Sequence, residues 1–193
     1  MTKAYVRTTI YSEGRAEMSD KDVIMMRAAH DAFRRDLRHL VAAPGLERWR
    51  RFSKQLRIHH TAEDTVLWPR MRARGAAPAL LDAMEAEHAQ IAPLLARVST
   101  AFAGKSGAER ATHLAALSSL LGTHLQHEET EVLPLITERE WTLLDREMRR
   151  RIGIRGIRSY FSWLLEEASP TTRSRVLKTL PAPIRLTIRA RSE

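Results

Sequence analysis

The stretch HHTAEDTVLWP, residues 59–69, decides the fold, because a matching stretch, HLQHEETEVLP, occurs at residues 124–134. Each copy has a His four residues before a Glu and ten residues before a Pro. A spacing of four places both side chains on one face of a helix. The two copies therefore predict two helices, each presenting an imidazole and a carboxylate to a common core.

Apolar residues surround both copies at intervals of three and four, the pattern of a buried helix face. Two other stretches share this pattern, and each has a single His near its middle, His30 and His88. We predict helices over about 19–43, 46–74, 78–102 and 108–137, the first capped by Ser19. Short loops join them, so the fold class is all-α, with an up-down-up-down four-helix bundle.

Prolines and the remaining periodicity predict the other boundaries. Pro69 predicts a kink in the second helix, and Pro93 predicts a kink or break in the third. Additional C-terminal helices are expected at about 139–151, 157–168 and 169–180, the last capped by Ser169. This gives an irregular segment at 1–18, the bundle at 19–138, and a helical extension with a basic tail at 139–193.

Composition limits the chemistry of any site. The chain of 193 residues has no cysteine, which excludes disulfides, thiolate zinc sites, cysteine nucleophiles and iron–sulfur clusters. Metal ligands must therefore be His, Asp or Glu. No stretch resembles a signal peptide or a membrane span, so we expect a cytoplasmic protein.

The net charge of +9 is concentrated near the C-terminus, where residues 146–193 hold twelve Lys/Arg and four Asp/Glu. Such a region can attract nucleic acid or an acidic membrane surface. No helix-turn-helix, zinc-finger or RNA-binding signature accompanies it. We therefore favour a solvated or partner-facing surface over a nucleic-acid partner.

Six titratable residues are predicted to meet inside the bundle. Burial of unpaired carboxylates is costly, and bound cations would remove that cost. Without thiolates, the donor set suits iron or manganese, and carboxylates can bridge two ions. The candidate metal ligands are His30, His59, Glu63, His88, His124 and Glu128.

These motifs resemble the hemerythrin-like, or HHE, domain family. The resemblance covers residues 19–138 and rests on AHDAFR at 29–34, the two copies above, and Glu87-His88. It implies a non-heme di-iron centre, oxo- or hydroxo-bridged, with iron favoured over manganese. By the same resemblance, Glu63 and Glu128 would bridge the ions, and the four histidines would be terminal ligands.

The chain departs from the oxygen-carrying hemerythrins, which have a fifth His four residues after the one that matches His88. That position is Ala92 here. They also usually have an Asp, at a longer spacing from its His, where this chain has Glu128. An open metal position, or another group such as Tyr160, would take the place of the fifth His.

Two functions follow from this pattern. The first is a di-iron oxidoreductase handling O2, hydrogen peroxide or NO, with catalase-like peroxide turnover as its sharpest form. The second is a sensor or carrier of O2, NO or iron that signals through the basic C-terminal region. An oxygenase for an organic substrate stays open and would need a cavity beside the metals, whereas a metal-free structural bundle is disfavoured.

The other residues near the motifs are expected to have ordinary roles. Asp64 and Glu129 are predicted to face solvent or brace helix contacts. Four more histidines are predicted to be solvated or to lie between helices, with two of them adjoining the site. They are His39, His60, His113 and His127.

Overall fold

The computed structural model describes residues 20–104 and 106–182, together with 185 and 188. The regular elements of these residues are all helical. They are α1 (Asp20–Ala42), α2 (Leu46–Ala62), α3 (Trp68–Ala73), α4 (Pro78–Ala103), α5 (Gly107–His127), α6 (Glu138–Ile152), α7 (Ile154–Leu164) and α8 (Pro170–Thr179). The segment predicted at 1–18, the Ser19 cap and most of the predicted basic tail lie outside the described residues.

The first five helices form the predicted up-down-up-down bundle, with α2 and α3 acting as one long arm. Helix α4 packs along α5, and α1 packs against both α5 and α2. The apolar faces read from the sequence meet in the core, where Phe33, Phe52, Leu117 and Leu121 are buried. The all-α bundle with additional C-terminal helices is therefore confirmed.

In both copies of the repeated motif, the α-helical hydrogen-bond pattern is interrupted at the Glu. Glu63–Leu67 and Glu128–Val132 are π-helical turns, in which the amides of Trp68 and Leu133 donate to carbonyls five residues back. A proline follows each of these amides, at 69 and 134. Because proline cannot donate and crowds the carbonyl four residues before it, a wider turn accommodates it. The irregularity predicted at Pro69 thus takes the form of a π-turn, and α3 continues beyond it.

The predicted end of the fourth bundle helix is wrong. Helix α5 ends at His127 rather than near residue 137, because the π-turn is followed by a 3-10 turn, Leu133–Leu135. Thr137 instead caps α6: its hydroxyl accepts from the Glu140 amide, and the Glu140 carboxylate accepts from the Thr137 amide. Pro93 causes no break, and α4 runs through it.

The C-terminal helices lie against the bundle. Helix α6 packs on α2 and the first π-turn, whereas α7 and α8 pack on α1. Gly153, with φ +69°, joins α6 to α7 in a conformation that glycine adopts without strain. Helix α7 spans Ile154–Leu164 instead of 157–168, and Ser169 caps α8 as predicted. None of the described helices is long and apolar enough to cross a membrane.

A buried polar network fastens α7 to α1. The indole N–H of Trp163 donates to Asp36 Oδ2 at 2.8 Å. The other Asp36 oxygen accepts from Arg35 at 2.9 Å and from Arg48 at 2.8 Å. Arg35 also donates to the backbone carbonyl of Trp163 at 3.0 Å. The buried carboxylate is therefore fully paired, and it fixes the C-terminal helices relative to the bundle.

Candidate metal centre

The structure brings all six predicted residues into one buried layer of the bundle. Each of the four bundle arms contributes to it, since α1, α2, α4 and α5 each supply one His. The two carboxylates come from the first positions of the π-turns. The side chains are 0–6% exposed: His30, His59, Glu63, His88, His124 and Glu128.

The four imidazoles form two pairs. The Nε2 atoms of His30 and His59 are 3.3 Å apart, and those of His88 and His124 are 3.2 Å apart. Two nitrogens that bind one ion at about 2.1 Å and at right angles are about 3.0 Å apart. The spacing within each pair therefore fits two ligands of a common ion.

Both carboxylates extend from one imidazole pair towards the other. Glu63 Oε1 is 3.1 Å from His59 Nε2, and its Oε2 is 3.7 Å from His88 Nε2. Glu128 Oε2 is 3.3 Å from His30 Nε2 and 4.0 Å from His124 Nε2. Neither of the two oxygens of Glu63, nor either oxygen of Glu128, has a hydrogen-bond partner. Buried oxygens without partners are expected to bind cations, because isolation in a core is costly.

Three of the imidazoles have their outer nitrogen bound to a carboxylate. His30 Nδ1 contacts Glu129 at 2.8 Å, and His88 Nδ1 contacts Asp64 at 2.7 Å. His124 Nδ1 contacts Glu87 at 2.8 Å. An imidazole that donates from Nδ1 presents a lone pair at Nε2. The Nε2 atoms of His88 and His124 therefore turn two lone pairs towards each other, an arrangement that a cation stabilises.

The titration behaviour agrees with this geometry. Burial raises the pKa of Glu63 well above its ordinary range, and the nearby Glu128 raises it further. Burial also opposes ionisation of Glu128, but neighbouring imidazoles, led by His30, outweigh it and lower its pKa. Burial lowers the pKa of His59 to about 3. His59 is therefore neutral, the state in which an imidazole binds a metal.

The family model for the hemerythrin HHE cation binding domain matches residues 19–136. The chain belongs to the hemerythrin HHE family. No curated protein and no solved structure matches it. As a member of this cation-binding family with two buried His-rich clusters, it is a metal-binding protein. The match ends before α6, so α6, α7 and α8 lie outside the matched residues.

Around the HHE site, the outer carboxylates are what the sequence analysis missed. Asp64 and Glu129 were expected to face solvent or brace helices, but they accept hydrogen bonds from His88 and His30. Arg34 donates to Glu129 at 2.7 Å and helps to hold it. Their positions in the sequence could have indicated this role, since each of these carboxylates directly follows a motif Glu. Glu87 likewise directly precedes His88.

His60 lies closer to the HHE site than the sequence indicated. It is buried, its ring stacks on that of His88 with 3.9 Å between centroids, and its Nε2 has no hydrogen-bond partner. One nitrogen from each of His60, His88 and His124 lies within 4.8 Å of the others. A second such cluster contains His30, His59 and Glu128.

The remaining candidates occupy different surroundings. Ala92, where the oxygen-carrying hemerythrins have a fifth His, is exposed. Tyr160 is buried and shares a cavity with His59 rather than lying beside His88. His39 and His113 pair with surface carboxylates, whereas His127 shares Glu87 with His124.

Proposed function

We propose that this HHE protein holds two iron ions and binds a small ligand, O2, hydrogen peroxide or NO, at them. His30 and His59 would hold one ion, and His88 and His124 the other. Glu63 and Glu128 would bridge the two ions. The observation that carries the proposal is the pairing of imidazole Nε2 atoms at 3.2–3.3 Å beside two carboxylates without hydrogen-bond partners.

The donor set favours a redox metal. It consists of imidazole and carboxylate groups without thiolate, which suits iron or manganese. The resemblance to di-iron HHE domains favours iron. When bound, two irons would supply the exchange of two electrons with the small ligand. Peroxide disproportionation needs such an exchange and no organic cofactor, so catalase-like turnover is the activity to test first.

The surrounding residues have separate roles in this proposal. Asp64, Glu87 and Glu129 hold the Nδ1 protons of three imidazoles and so fix the direction of each Nε2 lone pair. Arg34 limits the charge that Glu129 adds to the centre. The apolar residues above and below the layer, including Phe33 and Trp68, exclude bulk water.

We further propose that His60 takes the place of the fifth His. It is the buried imidazole beside His88 and His124 that has an unpartnered nitrogen. Burial, together with the neighbouring imidazoles, lowers its pKa well below the ordinary value and keeps it neutral. In the structure its ring is stacked on His88, so ligation requires the ring to turn out of the stack.

Metal content and turnover test the proposed function together. The purified protein, reconstituted anaerobically with ferrous iron, is expected to hold about two irons per chain and to show near-ultraviolet oxo-bridge absorption in air. Evolution of O2 from hydrogen peroxide would support the enzyme. A chain that takes up no transition metal after reconstitution would overturn the site.

A sensor is the second candidate, and one contact favours it. Helix α6 packs on the π-turn that carries Glu63, and Arg151 of α6 donates to Thr65 of that turn at 3.3 Å. A change at the metals could therefore reach the basic C-terminal helices through this turn. Stoichiometric ligand binding without O2 evolution, together with altered proteolysis of α6, would favour the sensor over the enzyme.

A further inference from the structure

Two adjoining hollows, of about 580 and 570 Å³, form one polar groove between α2 and α7. Both hollows are bordered by Arg51, Ser159 and Glu166, so the groove is continuous across these residues. Helix α8 adds Arg173 to its wall. None of the six proposed metal ligands lines this groove, which is therefore a feature apart from the metal layer.

Helix α7 presents a polar stripe to the groove. The stripe consists of Arg155, Arg158, Ser159 and Ser162, whose spacing of three and four residues places them along one face of the helix. All four side chains are exposed. A ligand in the groove can therefore reach two guanidinium groups and two hydroxyls on this helix alone.

Helix α2 supplies a second basic stripe at the same spacing. Arg50, Arg51 and Lys54 line the groove and lie three and four residues apart, which again places them on one helix face. Arg50 and Lys54 are exposed. The groove is thus bordered by basic side chains from two helices, and we call it the basic groove.

The basic groove has a surplus of positive charge. In the part of the chain that the structure describes, seven Arg or Lys and three Glu line it. Glu166 is already paired with Arg51 at 2.6 Å and with Arg48 at 3.2 Å. Glu167 is paired with His39 at 2.9 Å. Few carboxylates are therefore left to neutralise the other cations of the groove.

Four of those cations have no carboxylate of their own. Within the described ranges, no acidic side chain pairs with Arg50, Lys54, Arg155 or Arg158. Like charges around one concave surface raise the potential inside it and attract anions. Guanidinium groups also match the oxygens of a phosphate, to which they donate two hydrogen bonds at once.

Arg51 adds a donor whose position is fixed by its neighbour. Its Nη2 contacts Glu166 at 2.6 Å, whereas its Nε is buried and has no hydrogen-bond partner. A buried donor without a partner lowers the stability of the folded protein. An anionic oxygen bound in the groove would supply the missing acceptor.

The shape and lining of the basic groove favour a small ligand. A hollow of about 580 Å³ lies within the range of small-molecule pockets, about 300–1,000 Å³. Sites for single-stranded nucleic acid stack bases on exposed aromatic rings, but Trp163, the one aromatic side chain among the described lining residues, is 1% exposed. A membrane surface is bound by exposed apolar side chains, whereas Leu165 and Ile188 of the lining are buried.

The number of unpaired cations indicates how much charge the ligand carries. A phosphate monoester has about 1.5–2 negative charges, so two or more phosphate groups are needed to balance four cations. We infer that the basic groove binds a compact anion with two or more phosphate groups, a nucleotide or an inorganic polyphosphate. Because it contacts α2 and α7 together, the bound anion would also strengthen the packing of α7 on the bundle.

Calorimetric titration of the purified full-length protein, in buffer without free metal, tests the site. Salt is kept at about 0.15 M, where the Debye length is about 8 Å and diffuse attraction is screened. The probes are inorganic triphosphate and ATP, with inorganic phosphate as the reference. We expect one triphosphate per chain, bound at least tenfold more tightly than phosphate. Tighter binding of ATP than of triphosphate would assign a nucleotide, and equal or weaker binding an inorganic polyphosphate.

Variants that remove one charge assign the ligand to the groove. Arg50→Gln on α2 and Arg158→Gln on α7 are each expected to weaken triphosphate binding about five- to tenfold. Arg57→Gln is the matched control, because Arg57 is exposed on α2, has no carboxylate partner in the described ranges and lies outside the groove. It removes the same charge and is expected to change the affinity less than twofold.

Ser159→Trp fills the groove without a change of charge. Ser159 borders both hollows and is exposed, so the larger side chain is expected to leave the fold intact. We expect this variant to bind triphosphate at least tenfold more weakly than the parent. Ser119→Trp, at an exposed position of α5, is the control and should bind as the parent does. Circular dichroism and thermal unfolding show whether both variants are folded.

Three results would overturn the inference, and none depends on whether iron binds. Equal losses in Arg57→Gln and Arg158→Gln, or unchanged binding by a folded Ser159→Trp, would show only a general attraction of anions to a basic protein. Equal affinity for phosphate and triphosphate would overturn the requirement for several phosphate groups. Fluorescence anisotropy with a single-stranded oligonucleotide gives the third, since tighter binding than that of triphosphate, lost in Ser159→Trp, would assign the groove to nucleic acid.

Discussion

The Nε2 atoms of His88 and His124 face each other at 3.2 Å, although both rings have their Nδ1 atoms bound to carboxylates. A neutral ring that donates from Nδ1 has no proton at Nε2, and the Glu63 oxygens beside this pair have no hydrogen-bond partner. These buried polar atoms without partners lower the free energy of unfolding of the metal-free protein. Bound cations would raise that free energy, because they bind the folded chain and not the unfolded one.

Replacing the Glu63 carboxylate is expected to affect the stability of the metal-free protein and the stabilisation by metal in opposite ways. Glu63→Gln is predicted to leave the metal-free protein at least as stable as the parent, since an uncompensated carboxyl is lost. The rise in stability on adding ferrous iron, about 4 kcal/mol at a thousandfold excess over Kd, is predicted to disappear. Thermal unfolding with and without metal measures both. Glu109→Gln, far from the site, should behave as the parent.

The outer carboxylates should tune metal affinity without being ligands. Asp64→Asn weakens the partner that holds the Nδ1 proton of His88, and a loss of about 10–100-fold in affinity for one ion is expected. Metal-competition titration with a chelator gives the affinity of each ion. An Asp64→Asn protein that binds both ions as tightly as the parent would show that the Asp64 contact has no orienting role.

His60 can be tested with two variants that separate ligation from stacking. Phe at position 60 keeps a flat ring against His88 but has no ligand atom, whereas Ala has neither. If His60 is a ligand, His60→Phe and His60→Ala both lose about one ion per chain, or bind it at least tenfold more weakly. If His60 only positions His88 by stacking, His60→Phe retains both ions and only His60→Ala is impaired.

The network at Asp36 is predicted to fasten the C-terminal helices. Asp36→Ala leaves Arg35 buried without its carboxylate and removes the acceptor of the Trp163 indole, so we expect a loss of about 3–5 kcal/mol in unfolding free energy. Denaturant unfolding measures it. Asp31→Asn, an exposed site on the same helix, should change the free energy by less than about 0.5 kcal/mol.

The capping box of α6 should make stability depend on pH. Burial would raise the pKa of Glu140, but hydrogen bonds from Arg74 and Thr137 outweigh it and lower that pKa below its ordinary 4.5. Because the folded pKa lies below the unfolded one, the stabilisation is present above about pH 4.5 and is lost as the pH falls further. Glu140→Gln is expected to be less stable at pH 7 and to lose less stability between pH 5 and 3. Parallel unfolding curves of both proteins test this.

The sequence was sufficient for the bundle and for the identity of the six central residues, because helical periodicity and the repeated spacing are local signals. It misplaced the end of α5. The π-turn that accommodates Pro134 already ends the α-helix at His127, and Thr137 is the N-cap of α6. It also undervalued Asp64, Glu129 and His60. Whether a polar residue next to a motif points inward depends on how far the helices have rotated, which apolar periodicity does not resolve.

The cavity that Tyr160 shares with His59 could not be predicted at all from the sequence. It arises where Met26 of α1 and Met148 of α6 leave a gap, although they are more than a hundred residues apart. Packing gaps depend on side-chain shapes that meet only in the folded protein. The sequence indicated only that an oxygenase would need such a space beside the metals.

The two π-turns also determine how the motif tolerates changes in length. Each turn holds one residue more than an α-helix would need to span the same rise. Deleting one residue between Asp64 and Val66 would let the chain close an ordinary helix with His59 and Glu63 still in register. The side chains from Leu67 onward, including the buried Trp68 and Met71, would then keep their direction, but the ring of Pro69 would crowd the carbonyl four residues before it. The ten-residue interval from His to Pro is therefore expected to resist deletion of a residue as long as the proline is present.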